Sequence, residues 1–284
     1  MITYQDAERD AAGAAARARV TVEAVDSVPD LRRVAELFSQ IWAAPLPPMP
    51  HDILRSLVHA GGRVHAAFRD GELLGAAVAV FGPPVGTLCY SLIAGVSPHA
   101  EGGGIGLALK LAQRAWALQA GAARMSWTFD PLLRRNAWFN IARLGAVGTE
   151  YLVDFYGEVA DGVNDPETDR LAVAWDLRAP LPSRAAPVGL AAGEEDVAHA
   201  ILAAGPGGEP ATGTVPRADG TGPGRLRCWI PDDILTIRRT DPTLARRWRL
   251  AVRAALGSAV GKGYQVTTVL DPGWYVLEKA GARP

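Results

Sequence analysis

Apolar positions along the chain switch repeatedly between helical and strand spacing. Residues 20–25 read as a short strand. Ser27-Val28-Pro29-Asp30 then opens a helix on which Leu31, Val34, Ala35, Phe38, Ile41 and Trp42 form an apolar stripe. Pro45, Pro47, Pro48 and Pro50 break the chain before a second helix over residues 52–60. Two apolar runs, 63–69 and 73–81, meet across Asp70-Gly71, a strong two-residue hairpin signal. A strand over 87–96 follows, then a mostly buried helix over 105–119, with Leu107, Leu111 and Ala115 on one face and Ile105, Leu109, Ala112 and Trp116 beside it. The pattern continues as a strand over 124–129, a helix over 133–144, and strands over 151–158 and 171–177.

Residues 179–224 are rich in Pro, Gly and Ala and read as a linker with local structure, including one short helix over 194–204. Beyond it lie a strand over 225–230 and a long helix to about residue 260, which starts at Thr240-Asp241-Pro242 and carries Leu244, Trp248, Val252, Ala255 and Ala259 as its stripe. Strands over 264–270 and 274–278 flank Asp271-Pro272-Gly273. No repeat of fixed period is visible. The order predicts an α/β fold with an α+β mixed sheet. It divides into an N-terminal extension (1–19), a main domain (20–178), the linker (179–224) and a smaller strand-helix-strand-strand extension (225–284).

Composition narrows the partners. A formal net charge of -1 and a pI near 6.5, without a polybasic run, give no electrostatic footprint for nucleic acid or an anionic membrane. No apolar run approaches the roughly 20 residues of a membrane span, and residues 1–19 lack the apolar core of a signal peptide. Cys89 and Cys228 are far apart and in no redox or zinc pattern, which suits a reducing cytoplasm. The weighting toward Ala, Gly, Pro and Arg matches a GC-rich bacterial genome. His51, His59, His65 and His99 show no metal-ligand spacing, so no metal is expected.

The segment Val96-Ser97-Pro98-His99-Ala100-Glu101-Gly102-Gly103-Gly104-Ile105-Gly106 joins a strand to a helix through a turn that is nearly all glycine. Without Cβ atoms, its backbone N–H groups can approach an anion, and the helix start adds orphan donors and the positive dipole end. The spacing fits neither the dinucleotide nor the Walker pattern. It resembles motif A of the GNAT acyltransferases, V-x-P-x-x-R/Q-x-x-G-x-G/A, with Val96, Pro98, Gly104 and Gly106 in register. The resemblance covers residues 20–178. Ser126-Trp127-Thr128-Phe129-Asp130-Pro131 and Arg135-Asn136-Ala137, with Asp154-Phe155-Tyr156-Gly157 and Asp169-Arg170-Leu171, are similar to a subgroup of that family.

The resemblance implies acetyl-CoA or another acyl-CoA as co-substrate and N-acylation of a small amine or amino-acid-like acceptor. It implies that the strand before the turn splays from its neighbour. Ala94 and Val96 then pair with the pantetheine arm, while Glu101, Gly102, Gly103, Gly104, Ile105 and Gly106 cradle the diphosphate. Asn136 either contacts the cofactor arm or caps its helix. Glu101 stands where the family has Arg or Gln. Either it points outward, with Arg134 and Arg135 compensating, or it alters the cofactor site. The family's proton-donating tyrosine is missing, because Asn140 and Ile141 occupy that helix. Tyr90, Tyr151 and Tyr156 are the substitutes, and Asp130 is the expected base, or else a helix cap before Leu132. Arg246, Arg247, Arg249 and Arg253 form a basic face on the C-terminal helix, expected to be solvated, or else to bind an acidic substrate group or a CoA phosphate. A small-molecule acceptor is expected, and a homodimer is allowed. The alternatives are a GNAT-like CoA-binding protein without transfer and another CoA-thioester reaction on the same scaffold.

Overall fold

The computed structural model describes residues 1–44, 46–82, 88–157, 167–182, 199–215 and 223–281. Its elements form the mixed α/β architecture expected, divided between two compact units: Met1–Trp127 with Asp176–Pro180, and Thr128–Trp175 with Leu181–Pro284.

In the first unit, helix α1 (Tyr4–Ala18) starts on a capping box in which the Thr3 hydroxyl accepts from the Asp6 N–H and the Asp6 carboxylate accepts from the Thr3 N–H. Strand β1 (Thr21–Ala24), helix α2 (Val28–Ile41, capped by Ser27) and helix α3 (His51–His59) follow. Strands β2 (Arg63–Arg69) and β3 (Glu72–Phe81) form the hairpin read from Asp70-Gly71, where both residues take positive φ. Strand β4 (Leu88–Val96) is antiparallel to β3, and after helix α4 (Ile105–Gln119) strand β5 (Arg124–Phe129) returns parallel to β4. The strand order within the unit is β1-β2-β3-β4-β5.

One face of this sheet is covered by α2 and α3 through Leu31, Val34, Phe38, Leu54, Val64 and Val78, all fully buried. Each such side chain contributes about 1.5–3 kcal/mol over its exposed state. Helix α4 packs on β3 where Gly75 gives it room: a Cβ there would lie 3.1 Å from the Ile105 and Leu109 side chains. Helix α1 packs in turn on α4, with Ala7, Ala14 and Ala18 buried. Consequently α4 is buried nearly all round, Lys110, Gln113 and Arg114 included. Arg114 spends its donors on the Leu177 and Ala179 carbonyls, at 2.8 and 2.6 Å, and sits 3.6 Å from Asp10 of α1.

The second unit holds helix α5 (Arg134–Ala137), which runs into a wide π-type turn over Trp138–Arg143. It continues with strands β6 (Val147–Leu152), β7 (Arg170–Asp176), β8 (Ala200–Ala204), β9 (Pro210–Thr212) and β10 (Arg225–Trp229). Helix α6 (Ile234–Thr240) precedes α7 (Pro242–Val252), whose cap Asp241 accepts from the Leu244 N–H at 2.9 Å. A second wide turn, Arg253–Gly257, carries the chain into α8 (Ser258–Gly261), so the long helix expected to residue 260 is present with five residues in one widened turn. Strands β11 (Tyr264–Leu270) and β12 (Trp274–Lys279) end the chain. The order is β7-β6-β11-β12-β10-β8-β9, antiparallel except for β10 with β8.

Two expectations shift. The strand placed at 151–158 lies instead at Val147–Leu152; residues 153–157 are a turn held by side chains of the 167–169 segment, and Glu158 is outside the described residues. The helix placed at 194–204 is a strand where it is described, because Leu202 and Ala203 pair with Thr212 and Ala211 of β9; residues 194–198 are outside the described set.

Candidate active site

The geometry begins where β4 leaves β5. Their parallel pairing runs from Leu88 with Arg124 to Tyr90 with Ser126, and residues 91–96 continue beyond the paired stretch while staying bonded to β3 on the other side. Ala94 is exposed although it lies inside the strand. Helix α2 ends over this stretch, and only glycine fits at 95, where a Cβ would come within 2.8 Å of Ile41 and 3.0 Å of Trp42.

The strand then enters a short 3-10 turn, Pro98–Ala100, and the glycine turn. The Ser97 hydroxyl lies 2.8 Å from His99 Nδ1, and His99 Nε2 lies 3.0 Å from Glu72, which ties the turn to the start of β3. Gly102 and Gly104 take φ of 76° and 86°, left-handed values that a β-branched residue resists. Gly104 is the cap of α4 and offers no side chain to it. The first helical bond is Ala108 N–H to the Gly104 carbonyl, so the N–H groups of Ile105, Gly106 and Leu107 have no partner within the helix. A Cβ on Gly102 would meet nothing within 4 Å, so the turn is open on that side. These features fit a diphosphate and an extended arm. Glu101 is exposed at the mouth of the turn.

The candidate proton carriers fall differently. Asp130 is buried and fully engaged. Its Oδ1 accepts from the Leu132 N–H at 2.9 Å and from Arg249 at 2.9 Å, and its Oδ2 accepts from Arg249 at 2.8 Å and Arg238 at 3.0 Å. Burial pushes the carboxyl up, but the charges of Arg249 and Arg238 and these bonds outweigh it and hold the group at about 2. A carboxylate so stabilised is a poor acceptor for an ammonium proton, so Asp130 is not suited to be the base expected of it. It does bond the Leu132 N–H, as the capping alternative required.

Tyr151 donates to Asp169 at 2.7 Å, and burial, then that bond, raise its hydroxyl well above the usual tyrosine value. Asp169 also accepts from the Asp154 N–H and from two Arg253 nitrogens at 2.9 and 2.7 Å, which joins the two sequence stretches Asp154–Gly157 and Asp169–Leu171. Tyr156 is exposed, its ring against Phe155 and under the Arg170 guanidinium. Tyr90 sits on β4 at the last paired position. Asn136 is the third residue of α5 and not its cap, which is Leu133. Arg134 is engaged with Asp232 and the Ile230 carbonyl at 2.6 and 2.8 Å, so it holds a partner other than the one supposed for it.

The basic face is corrected too. Arg249 is wholly buried on Asp130, Arg253 grips Asp169 and Asp154, and Arg246 pairs with Glu167, whereas Arg247 is exposed. The sequence reading also missed Lys110, Ser91 and Gln113, a buried polar cluster of the first unit. Among the described residues, no group of three or more His, Cys, Asp and Glu is placed to hold a metal ion, and no helix is long and apolar enough to cross a membrane.

Residues 3–131 match the model of the acetyltransferase (GNAT) domain family. Solved structures similar to the chain include an N-acetyltransferase from Staphylococcus aureus (14% identity, 56% of this chain and 98% of that one, TM-score 0.46). Others are a GNAT-family acetyltransferase from Elizabethkingia anophelis with acetyl-CoA bound (13%, 56% and 98%, TM-score 0.43) and the aminoglycoside 6'-N-acetyltransferase from Enterococcus faecium (13%, 57% and 99%, TM-score 0.44). No curated protein sequence matches the chain.

Proposed function

With residues 3–131 carrying a GNAT acetyltransferase domain, we propose that the protein moves an acetyl group from acetyl-CoA to the amine of a small, amino-acid-like acceptor. The observation that supports this most is the parting of β4 from β5 after Tyr90, which leads an open strand edge straight into the glycine turn and the start of α4. Acetyl-CoA supplies the activated thioester. The chain supplies the backbone of Ala94 and Val96 along the arm, and the N–H groups of Gly102, Gly103, Gly104, Ile105 and Gly106 toward the diphosphate. Glu101, exposed at the same turn, opposes that anion and weakens its hold. Asp130 and Tyr151 stabilise their own unit through arginine and carboxylate bonds.

Calorimetry with acetyl-CoA, followed by thiol release in the presence of pooled amines, tests the reading. The wild type should bind acetyl-CoA and release thiol with at least one amine. Gly104→Val should keep its circular dichroism and lose at least about tenfold in affinity, because valine resists the left-handed backbone that aims the turn. Unchanged affinity in a folded Gly104→Val protein removes the turn from the site. Binding without thiol release across a broad amine panel favours a CoA-binding protein over a transferase.

A further inference from the structure

Where β4 and β5 part, a polar cluster is closed off from water beneath α4. Ser91 is the first β4 residue past the last paired position, and Trp127 is its counterpart on β5. Lys110 of α4 donates to the Ser91 hydroxyl at 2.8 Å and lies 3.9 Å from the Trp127 ring centre, and Ser91 donates onward to Gln113 Oε1 at 3.0 Å. All three polar residues are at least 95% buried, and Gln113 Nε2 has no partner among the described residues. No carboxylate pairs with Lys110 among those residues. Burying an ammonium without a counter-ion opposes folding, and methionine would fill the same space without that cost. The arrangement therefore calls for a role beyond packing.

We propose that Lys110, acting through the Ser91 hydroxyl, supplies the proton taken up by the thiolate that leaves during acetyl transfer. The proposal rests on the acetyltransferase reading above. It fills the gap left by Asn140 and Ile141, which carry no donor of the tyrosine kind. Between Val96 and Ser91 lie five residues of extended strand, about 16 Å, the scale of an extended pantetheine arm. With the diphosphate end at the glycine turn, the thioester end falls at the fork, beside Ser91. As the amine closes on the carbonyl carbon, the C–N bond forms and the C–S bond breaks. Ser91 turns its proton from Gln113 to the sulfur and takes one from Lys110. The proton lost by the amine leaves to solvent, and once CoA has left the fork the neutral Lys110 regains a proton through the Ser91 hydroxyl from the water that takes the thiol's place.

Burial lowers Lys110 from the ordinary lysine value of 10.5 to about 7, so near neutrality it parts with a proton readily. The charged and titratable groups on the elements around it are Cys89 and Tyr90 of β4, Arg124 of β5, Arg63, His65 and Arg69 of β2, Glu72 of β3, Glu23 of β1, Arg114 of α4 itself, and Tyr4, Asp6, Glu8, Arg9, Asp10 and Arg17 of α1, with Asp10 3.6 Å from Arg114. Of these, Cys89 acts on Lys110 directly, and burial pushes its thiol up to about 12, so it stays neutral over the working range.

The test compares full-length wild type, Lys110→Met and Ser91→Ala by acetyl-CoA calorimetry, by thiol-release kcat against pH with an accepted amine, and by the NMR titration of the Lys110 ε-carbon. Lys110→Met should bind acetyl-CoA within about threefold of wild type and lose about a hundredfold in kcat, together with the limb that falls as pH rises through about 7. Ser91→Ala should behave alike, and the ε-carbon should titrate near 7. Wild-type kcat and pH profile in Lys110→Met, or titration at an ordinary lysine value, overturns the proposal. If Lys110→Met does not fold, Ser91→Ala decides, since it removes a single oxygen. A wild type that neither binds acetyl-CoA nor releases thiol fails in a different way and removes the acetyltransferase reading along with this one.

Discussion

Asp130 and Lys110 are both withdrawn from water, yet Asp130 meets two guanidinium groups and a backbone N–H while Lys110 meets a hydroxyl and an indole face. The partners decide what each group can do. Surrounded by positive charge, Asp130 is held ionised down to about pH 2, and its proton affinity is too low for chemistry near neutrality. Lys110, desolvated without compensation, is brought to about 7, where either protonation state is accessible. The second unit thus uses buried charge as a fastening, and the first keeps one buried charge close to its switching point.

The largest break of this contrast is Asp130→Asn, which takes the carboxylate charge away from the buried Arg249 and from Arg238. A loss of about 3–5 kcal/mol is expected in urea unfolding at neutral pH. Because the Asp130 carboxyl lies at about 2, below its unfolded value of 3.8, its stabilisation is full above pH 4 and is lost as pH falls through about 2; the Asn variant should lack that acid limb. Asp169→Asn should cost less, about 2–3 kcal/mol, since Arg253 keeps Asp154 and some exposure to water. An unchanged urea midpoint in both variants would make these pairs ornamental.

Lys110→Met should move stability the other way, raising it by about 1–2 kcal/mol at pH 6. The folded value near 7 lies below the unfolded 10.5, so between them the unfolded chain holds a proton that the folded chain does not. Wild-type stability is accordingly fullest above about pH 10 and declines as pH falls, down to about 7; Lys110→Met should be flat across that window. Destabilisation at pH 6 instead would show that Lys110 has a counter-charge. The smallest effect belongs to the exposed Glu101. Glu101→Gln should tighten acetyl-CoA by about two- to fivefold, an increment that shrinks with added salt, and weaker binding would reverse the sense assigned to its charge.

Sequence patterning foretold the first unit well, because its signals are local. The hairpin at Asp70-Gly71, the bounds of α4 at Ile105 and Gln119, and the strand-turn-helix at the glycines all follow from neighbouring residues. The fate of polar residues on those elements was hidden. Lys110 lies between Leu109 and Leu111 with nothing nearby in the sequence to say that its ammonium turns toward Ser91 of β4 and Trp127 of β5, and nothing in residues 1–19 alone states that they pack on α4. In the second unit, Asp130 finds its partners 108 and 119 residues away, so a strand-end carboxylate that looked catalytic turned out to be bonded from afar. Arg249 and Arg247 are two apart on one helix, and only the packing tells which of them is inside.

The widened turn Arg253–Gly257 acts as a phase adjuster. An ordinary turn uses 3.6 residues, and each residue advances the helix by about 100°. The surplus lets Arg249 and Arg253 reach Asp130 and Asp169 on one side of the turn while Ala259 and Val260 stay buried on the other. At its end a Cβ on Gly257 would press within 3.3 Å of the Tyr151 ring. Excising one residue here would let the turn close to ordinary pitch with both halves still in phase, whereas inserting one into the regular part of α7 would rotate everything beyond it by about 100° and turn the buried alanines outward. Length along this helix is thus a specification everywhere but at this one turn, where the loss of a single codon leaves the neighbours aimed as before.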